Sequence, residues 1–431
     1  MNAPDLTAST LQRRNASTLL TGFIRETIRT SGPQSFAWFM QQALYHPEHG
    51  YYSSGRCEIG RRGDYFTNVS VGPLFGQLLT AQFMEMWERL GKIDKFVIVE
   101  QGAHHGEFAR DVLEFARKHW PGFFAALRYR IVESFPVLQD RQLQTLAGFE
   151  GKIGWRASID ELEPFTGIHF SNELLDAMPV HLICTRGPVV RAPTAVSQPD
   201  WLEKFVALNG NDFVFVDQPV ADPKLRDRLQ NLPQRLAGYQ TEVNLAALDW
   251  IDNVPRKLER GYVLAIDYGH PRDEFYAAHR SAGTLQVRAQ HRLLSSPFDE
   301  IGRADISTHV EWTSVVERAE VCRLRVKGFT DQHHFLTGII SEWPEVLQAR
   351  VLDSTALSRR VHSAGLDPKM KRALQTLLHP EMLGRSFQAL ALEKDVDLEA
   401  PLAGFKFARE PRSALGLDRA NPFRATLDTA L

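Results

Sequence analysis

The sequence predicts an α/β chain built on a doubly wound, Rossmann-like sheet, with an N-terminal helical and loop extension, a small antiparallel insertion and helical additions. Three observations predict it. Short apolar runs alternate with helical stretches from residue 96 to residue 171, which implies parallel pairing across crossover helices. The run GYVLAIDY at residues 261–268 stays apolar up to Asp267, as a strand buried on both faces must. Between residues 180 and 220 the apolar period switches to two, the mark of half-exposed antiparallel strands.

Taken in order, residues 17–31 place Leu19, Leu20, Phe23, Ile24 and Ile28 at helical spacing, and Ser31-Gly32-Pro33 stops the run. A second helix is expected over 36–45, closed by His46-Pro47. The stretch from Gly50-Tyr51-Tyr52 to Gly63-Asp64-Tyr65-Phe66-Thr67 is too irregular for a helix and too aromatic for a linker, so it reads as an ordered loop packed against something. A long helix follows over 73–90. Strands are expected at 96–100, 127–133, 153–155 and 167–171, with helices at 108–119 and 137–147 between them. The antiparallel insertion comprises 181–185, 189–192, 204–208 and 213–216. Residues 223–258 read as helix, and 331–395 as helical with a last strand at 387–393.

Composition narrows the function classes. The 431 residues carry 50 Lys+Arg against 52 Asp+Glu, a formal charge of −2 that lacks the basic excess a general nucleic-acid binder needs to displace phosphate counterions. No stretch approaches the roughly 20 apolar residues that span a bilayer. Cys57, Cys184 and Cys322 are too scattered for a disulfide framework and too few for a zinc site of their own. A reducing compartment follows, with the cytoplasm as default. The Arg13, Arg14 and Ser/Thr content of residues 1–20 reads as a polar lead into the first helix, and a transit peptide to the mitochondrial matrix is the alternative.

Three constellations carry chemistry. In the first, a strand ends at Glu100 and a turn with Gly102 and Gly106 opens a helix, while Glu133 ends the next strand, where an acid can accept both ribose hydroxyls of an adenosine. The turn reads GAHHGE, not the GxGxxG of dinucleotide binders, and suits S-adenosylmethionine, which has no pyrophosphate. His104-His105 invites a metal reading, but adjacent histidines point in different directions and no metal is expected. The second is Ser171-Asn172-Glu173-Leu174-Leu175-Asp176-Ala177-Met178-Pro179, either a ligand-facing turn or an N-cap with a solvated first turn. The third is Asp267-Tyr268-Gly269, whose acid either binds a cationic substrate or caps the turn that follows.

Together these segments resemble the MidA-like family of S-adenosylmethionine-dependent methyltransferases, whose mitochondrial member methylates an arginine of a respiratory complex I subunit. The resemblance runs through Leu44-Tyr45-His46-Pro47, Gly50-Tyr51-Tyr52, Gly60, Gly63-Asp64-Tyr65-Phe66-Thr67, Leu74-Phe75-Gly76, Glu100-x-Gly102, Glu133, Asn172-Glu173-x-x-Asp176-Ala177-x-Pro179, Trp201-Leu202-Glu203, Asp267-Tyr268-Gly269, Gly283-Thr284-Leu285 and Asp305-Ile306-Ser307-x-His309-Val310, and on to Leu383-Gly384 and Gly404-Phe405. It implies an S-adenosyl-L-methionine site formed by Gly63, Thr67, Glu100, Gly102, His104, Gly106, Glu133 and Asn172. It also implies a protein substrate, arginine favoured, held by Glu173, Asp176 and Asp267, with His291 or His309 as base should the acceptor be an oxygen. A second copy of the chain is a further partner to consider. The implied division is an N-terminal region over 1–92, a core over 93–330 with its insertion near 180–258, and a C-terminal region over 331–431. The family's turn is usually E-x-G-P-G-x-G, where this chain has Ala103 and His104; an imidazole there either obstructs the cofactor or contacts it. Val69-Ser70 and Gln77 stand where the family has Pro-Glu and Glu. These departures keep two alternatives open, a non-catalytic homologue acting as an assembly factor and another nucleotide-binding α/β enzyme.

Overall fold

The computed structural model describes residues 8–55, 57, 67–186, 201–230, 232, 238–348, 367–396 and 398–418, with side chains from Thr18 onward. The expected strand at 189–192 and the candidate Gly63 lie outside them. Seven strands form the central sheet: β1 (Phe96–Gln101), β2 (Leu127–Val132), β3 (Ile153–Arg156), β4 (Phe165–Asn172), β5 (Leu258–His270), β6 (Arg325–Asp331) and β7 (Phe387–Lys394). Their spatial order is β3-β2-β1-β4-β5-β7-β6. β1 to β5 pair in parallel, and β7 runs antiparallel to both of its neighbours. Val310–Glu311 adds a short parallel pairing at the end of β5.

The continuous apolar runs have a simple cause. β1 is covered on both faces, so Phe96 and Ile98 join the core that holds Phe83, Phe108, Phe170, Phe335 and Phe387, while Val97 and Val99 join a second core with Trp250, Ile251, Val315 and Leu392. Helices Leu74–Arg89, Glu107–His119 and Gln332–Glu342 supply the first layer, and Leu245–Lys257 with Trp312–Val321 the second. At the far end of the sheet Gly167 and Gly261 occupy adjacent strands with φ of 152° and 135°. A Cβ at either would lie 2.0 Å from a carbonyl oxygen, of Val97 or of Gly167, so only glycine permits this spacing of β1, β4 and β5.

The antiparallel insertion is a separate sheet in the order Gln34–Ser35, Trp201–Asn209, His181–Thr185, Gln240–Val243, with Asp212–Pro219 pairing the second of these. Helix Phe36–Tyr45 packs here and not on the main sheet: Phe36, Phe39 and Leu44 share a core with Val180, Leu182, Val206 and Ile306. Several strands depart from the sequence reading, and two show why. Gln240–Val243 lies inside the stretch expected as helix, because pairing with His181–Cys184 buries Thr241, Glu242 and Val243. Arg325–Asp331 was masked by its polar residues, and it is β7 that recruits it as an edge strand.

Candidate active site

The chain reverses direction across the sheet between β1 and β4, and the crevice outside such a reversal, at the carboxyl ends of the strands, is where doubly wound sheets bind ligands. A cavity of about 630 Å³ lies there. Into it converge Glu100, Gly102 and His104 after β1, Glu133 after β2, and Asn172 and Glu173 after β4, together with Thr67 from the N-terminal loop. The turn from Gly102 to Gly106 closes on a 2.8 Å bond from the Gly106 N–H to the Ala103 carbonyl, and Gly106, at φ 85°, starts helix Glu107–His119.

Each acid is held differently. Glu133 accepts the Phe135 N–H at 3.0 Å and the Gln142 amide at 3.2 Å, one on each oxygen, and burial raises its proton affinity. Glu100 accepts the Tyr129 hydroxyl at 2.7 Å, and burial pushes it up to about 8. Glu173 takes a left-handed φ of 52° and anchors its own N–H to the Ile266 carbonyl at 3.0 Å. Its Oε1 accepts the Asn68 N–H at 3.1 Å and the Asn172 amide at 2.9 Å, and Asn172 Oδ1 in turn accepts from the Asn68 amide at 3.0 Å. Burial, then the nearby Asp267 and Asp305, push Glu173 up to about 8.

Asp267 and Asp176 are buried behind this wall. One oxygen of Asp267 accepts the backbone N–H groups of Leu174, Leu175 and Asp176 at 3.0, 2.8 and 3.3 Å, and the other accepts that of Tyr268 at 2.8 Å. The carboxylate therefore shapes the turn that carries Glu173 and Asp176. Asp176 is held well above the usual carboxylate range, first by burial and then by Asp267, Asp305 and Glu173. Among the described residues, the strongest influences on Glu173, Asp176 and Asp267 are burial, hydrogen bonds and fellow carboxylates, with no lysine or arginine among them.

The two histidines do not diverge as adjacent residues were expected to. At φ 47° His104 curls the chain back, and its ring stacks on His105 at 3.7 Å between centroids. A bond to the Cys57 backbone leaves Nε2 of His104 buried and unpartnered among the described residues. His104, His105 and Glu107 bring ligand-type atoms within 4.8 Å of one another, but the Arg141 guanidinium, 2.7 Å from His105 Nε2, sets a positive charge against a cation there. Thr67 is buried and closes a turn with Ser70. His291 sits exposed at a hairpin tip, and His309 packs 5.0 Å from His270, so the structure brings neither to the cavity wall. Sequence reasoning passed over Tyr45, Tyr52, Ile159 and Asp160, which line the cavity, and Asp305 beside it. The signal for Tyr52 was its place in the Gly/aromatic loop; Tyr45 closes the helix before it, and Ile159 and Asp160 carry none.

With this geometry in place, comparison decides the lineage: a model of the S-adenosyl-L-methionine-dependent methyltransferase family matches residues 78–330. The chain belongs to that family. Among curated relatives, the methyltransferase is 25% identical to "Protein arginine methyltransferase NDUFAF7 homolog, mitochondrial" of Drosophila melanogaster over 330 residues, 69% of each chain. It is 24% identical to the human "Protein arginine methyltransferase NDUFAF7, mitochondrial" over 400 residues, 85% of this chain and 81% of that one. Among solved structures, a superfamily member from Burkholderia thailandensis bound to S-adenosyl-homocysteine is 27% identical, with a TM-score of 0.79 over 96% of this chain and 99% of that one. The cofactor is S-adenosyl-L-methionine. The cavity fits it: Val132, Leu138 and Ile159 give its lining apolar surface, Glu133 lies among them, and Gly102, at φ 84°, keeps the backbone turn close to Leu174, which a Cβ there would meet at 3.4 Å.

The buried acids of the methyltransferase set the sign of its pH response. Glu100 and Glu173, pushed up to about 8, stay protonated in the fold at pH values where the unfolded chain has ionised them at about 4.5. Their contribution is thus full below the unfolded value and is lost as pH rises toward 8. Buried His104 and His169, lowered to about 3, and His270 and His309, lowered to about 4, act oppositely, but only below the unfolded histidine value of about 6.5. Ligand-free protein is therefore expected to lose melting temperature between roughly pH 6.5 and 8.5, with a shallower slope in Glu100→Gln. A flat or rising melting temperature in the wild type would show these carboxyls ionised in the fold.

Proposed function

We propose that this methyltransferase transfers its methyl group to an arginine side chain of a protein. The observation that carries the reading is Glu173 in the wall of the cofactor cavity with Asp176 buried behind it: carboxyls raised by burial and by neighbouring carboxylates, with no cationic group among the described residues acting strongly on them. Burial holds such carboxyls in the protonated form until a cation arrives to favour the ionised one. A guanidinium is planar, permanently charged and rich in N–H donors, and it matches a carboxylate edge as an ammonium does not. The names of the NDUFAF7 relatives support the same acceptor, and they are also the ground for preferring the mitochondrial matrix over the cytoplasm.

In this reading Glu133 accepts from the ribose hydroxyls, Val132, Leu138 and Ile159 enclose the adenine, Asp160 accepts from its amine, and the turn from Glu100 to Gly106 follows the methionine end. The bound cofactor supplies a methyl on a sulfonium, so the protein's task is alignment. Glu173 holds one edge of the acceptor and takes up the proton that the alkylated nitrogen releases, a role its raised proton affinity suits. Asp267 is a positioning residue, setting the turn through its backbone N–H bonds.

The test is to incubate the enzyme with methyl-labelled cofactor and an extract of cells lacking the protein, then hydrolyse the labelled protein. Label is expected in N-methylated arginine. Label released by mild base as methanol, the mark of a carboxyl ester, or recovered as methyl-lysine, would overturn the reading.

A further inference from the structure

Part of the cavity wall is aromatic. Tyr45 and Tyr52 stack at 5.5 Å with 27° between their planes, and both line the cavity together with Glu173. Each hydroxyl is committed. Tyr45 donates to the Ala177 carbonyl at 3.0 Å, which ties the stack to the turn carrying Glu173 and Asp176. Tyr52 donates to Asp305 Oδ1 at 2.6 Å, and Asp305 is buried at the start of strand Asp305–Ser307. The strand continues to Thr308, whose N–H is bonded to the Asp176 carbonyl at 2.9 Å, so Asp305 and Asp176 are held in one frame. These residues come from the N-terminal segment, the turn after β4 and strand Asp305–Ser307 after β5, and they meet at this wall.

We propose that Tyr52, oriented by Asp305, is the second half of the acceptor clamp and sets its preference for a planar guanidinium. The inference rests on the arginine reading above. Because the Tyr52 proton is given to Asp305, the phenolic oxygen presents lone pairs and accepts an N–H. Glu173 takes one edge of the guanidinium, and Tyr52 takes a donor on another nitrogen of the same plane. An ammonium, with its donors radiating from a single atom, engages one of the two. Tyr52 therefore contributes to selectivity, and Asp305 acts through it as a positioning residue.

The test uses full-length enzyme saturated with S-adenosylhomocysteine, titrated with a blocked Gly-Arg-Gly peptide and with its lysine counterpart. Wild type is expected to prefer the arginine peptide. Tyr52→Phe, which removes one oxygen and keeps the ring, should weaken the arginine peptide by roughly tenfold to hundredfold, the worth of one hydrogen bond to a charged group, while the lysine peptide and S-adenosylhomocysteine bind as before. Asp305→Asn should weaken the arginine peptide in the same direction, and the double variant no further than the worse single one, since both act on one oxygen. Equal loss for both peptides, or loss of S-adenosylhomocysteine binding, would mark a merely structural role and overturn the proposal. Undiminished arginine binding in Tyr52→Phe alongside a loss in Glu173→Gln would overturn it and leave the arginine reading standing. Failure of wild type to bind either peptide would overturn both.

Discussion

Glu173→Gln is expected to bind S-adenosylhomocysteine as tightly as wild type and to lose roughly tenfold to hundredfold in transfer rate. The separation follows from what the side chain does. Glutamine keeps the Oε1 that accepts from the Asn68 N–H and the Asn172 amide, so the local ring of hydrogen bonds survives. It also mimics the protonated acid, the form that burial favours in the free enzyme, so the fold loses nothing. What disappears is the charge facing a cationic acceptor, a charge-assisted bond worth about 1.5–3 kcal/mol. If the bond is made fully only as the methyl moves, the loss falls on the rate. The two proteins should also differ with pH. Wild-type kcat/KM is expected to rise as pH approaches about 8, where Glu173 ionises, and that rise should be absent from the variant. Full transfer activity in Glu173→Gln would remove this residue from the acceptor site.

Glu133→Ala should instead weaken S-adenosylhomocysteine by roughly tenfold to hundredfold in calorimetry, again the worth of about 1.5–3 kcal/mol for hydrogen bonds to a charged group. Part of that loss is local, because the Phe135 N–H and the Gln142 amide lose their acceptor. Glu133→Gln separates the contributions: it retains an acceptor for the backbone and sacrifices the paired carboxylate offered to the two ribose hydroxyls, so its loss should be smaller. Gln142 also bonds the His104 carbonyl at 2.8 Å, so disturbing Glu133 reaches the cofactor turn as well. Unchanged affinity in Glu133→Ala would refute the ribose assignment.

Local chemistry explains what could be read without coordinates. β1 and the middle of β5 are apolar runs because a sheet covered on both faces admits little else, and the turn after β1 is legible because its glycines are dictated by backbone geometry. Position at a strand end was enough to single out Glu100, Glu133 and the Asn172-Glu173-x-x-Asp176 segment, since strand ends face the crevice. The sequence by itself thus determined most of the succession of core elements, the glycine turn after β1 and the identity of the acids. It left open what each acid does. Asp267 shows three of its four backbone donors only when residues 91 to 93 positions away are folded against it. The stacking of His104 on His105 depends on a left-handed backbone that no side chain there announces. Tyr52 and Asp305, separated by 253 positions, become one hydrogen-bonded unit through the packing of the N-terminal segment. Gln240–Val243 likewise becomes a strand because of the partner it meets. Periodicity records which face of an element is buried, but a side chain's role is set by the donors, acceptors and charges that distant segments bring to it, and those only the tertiary structure decided.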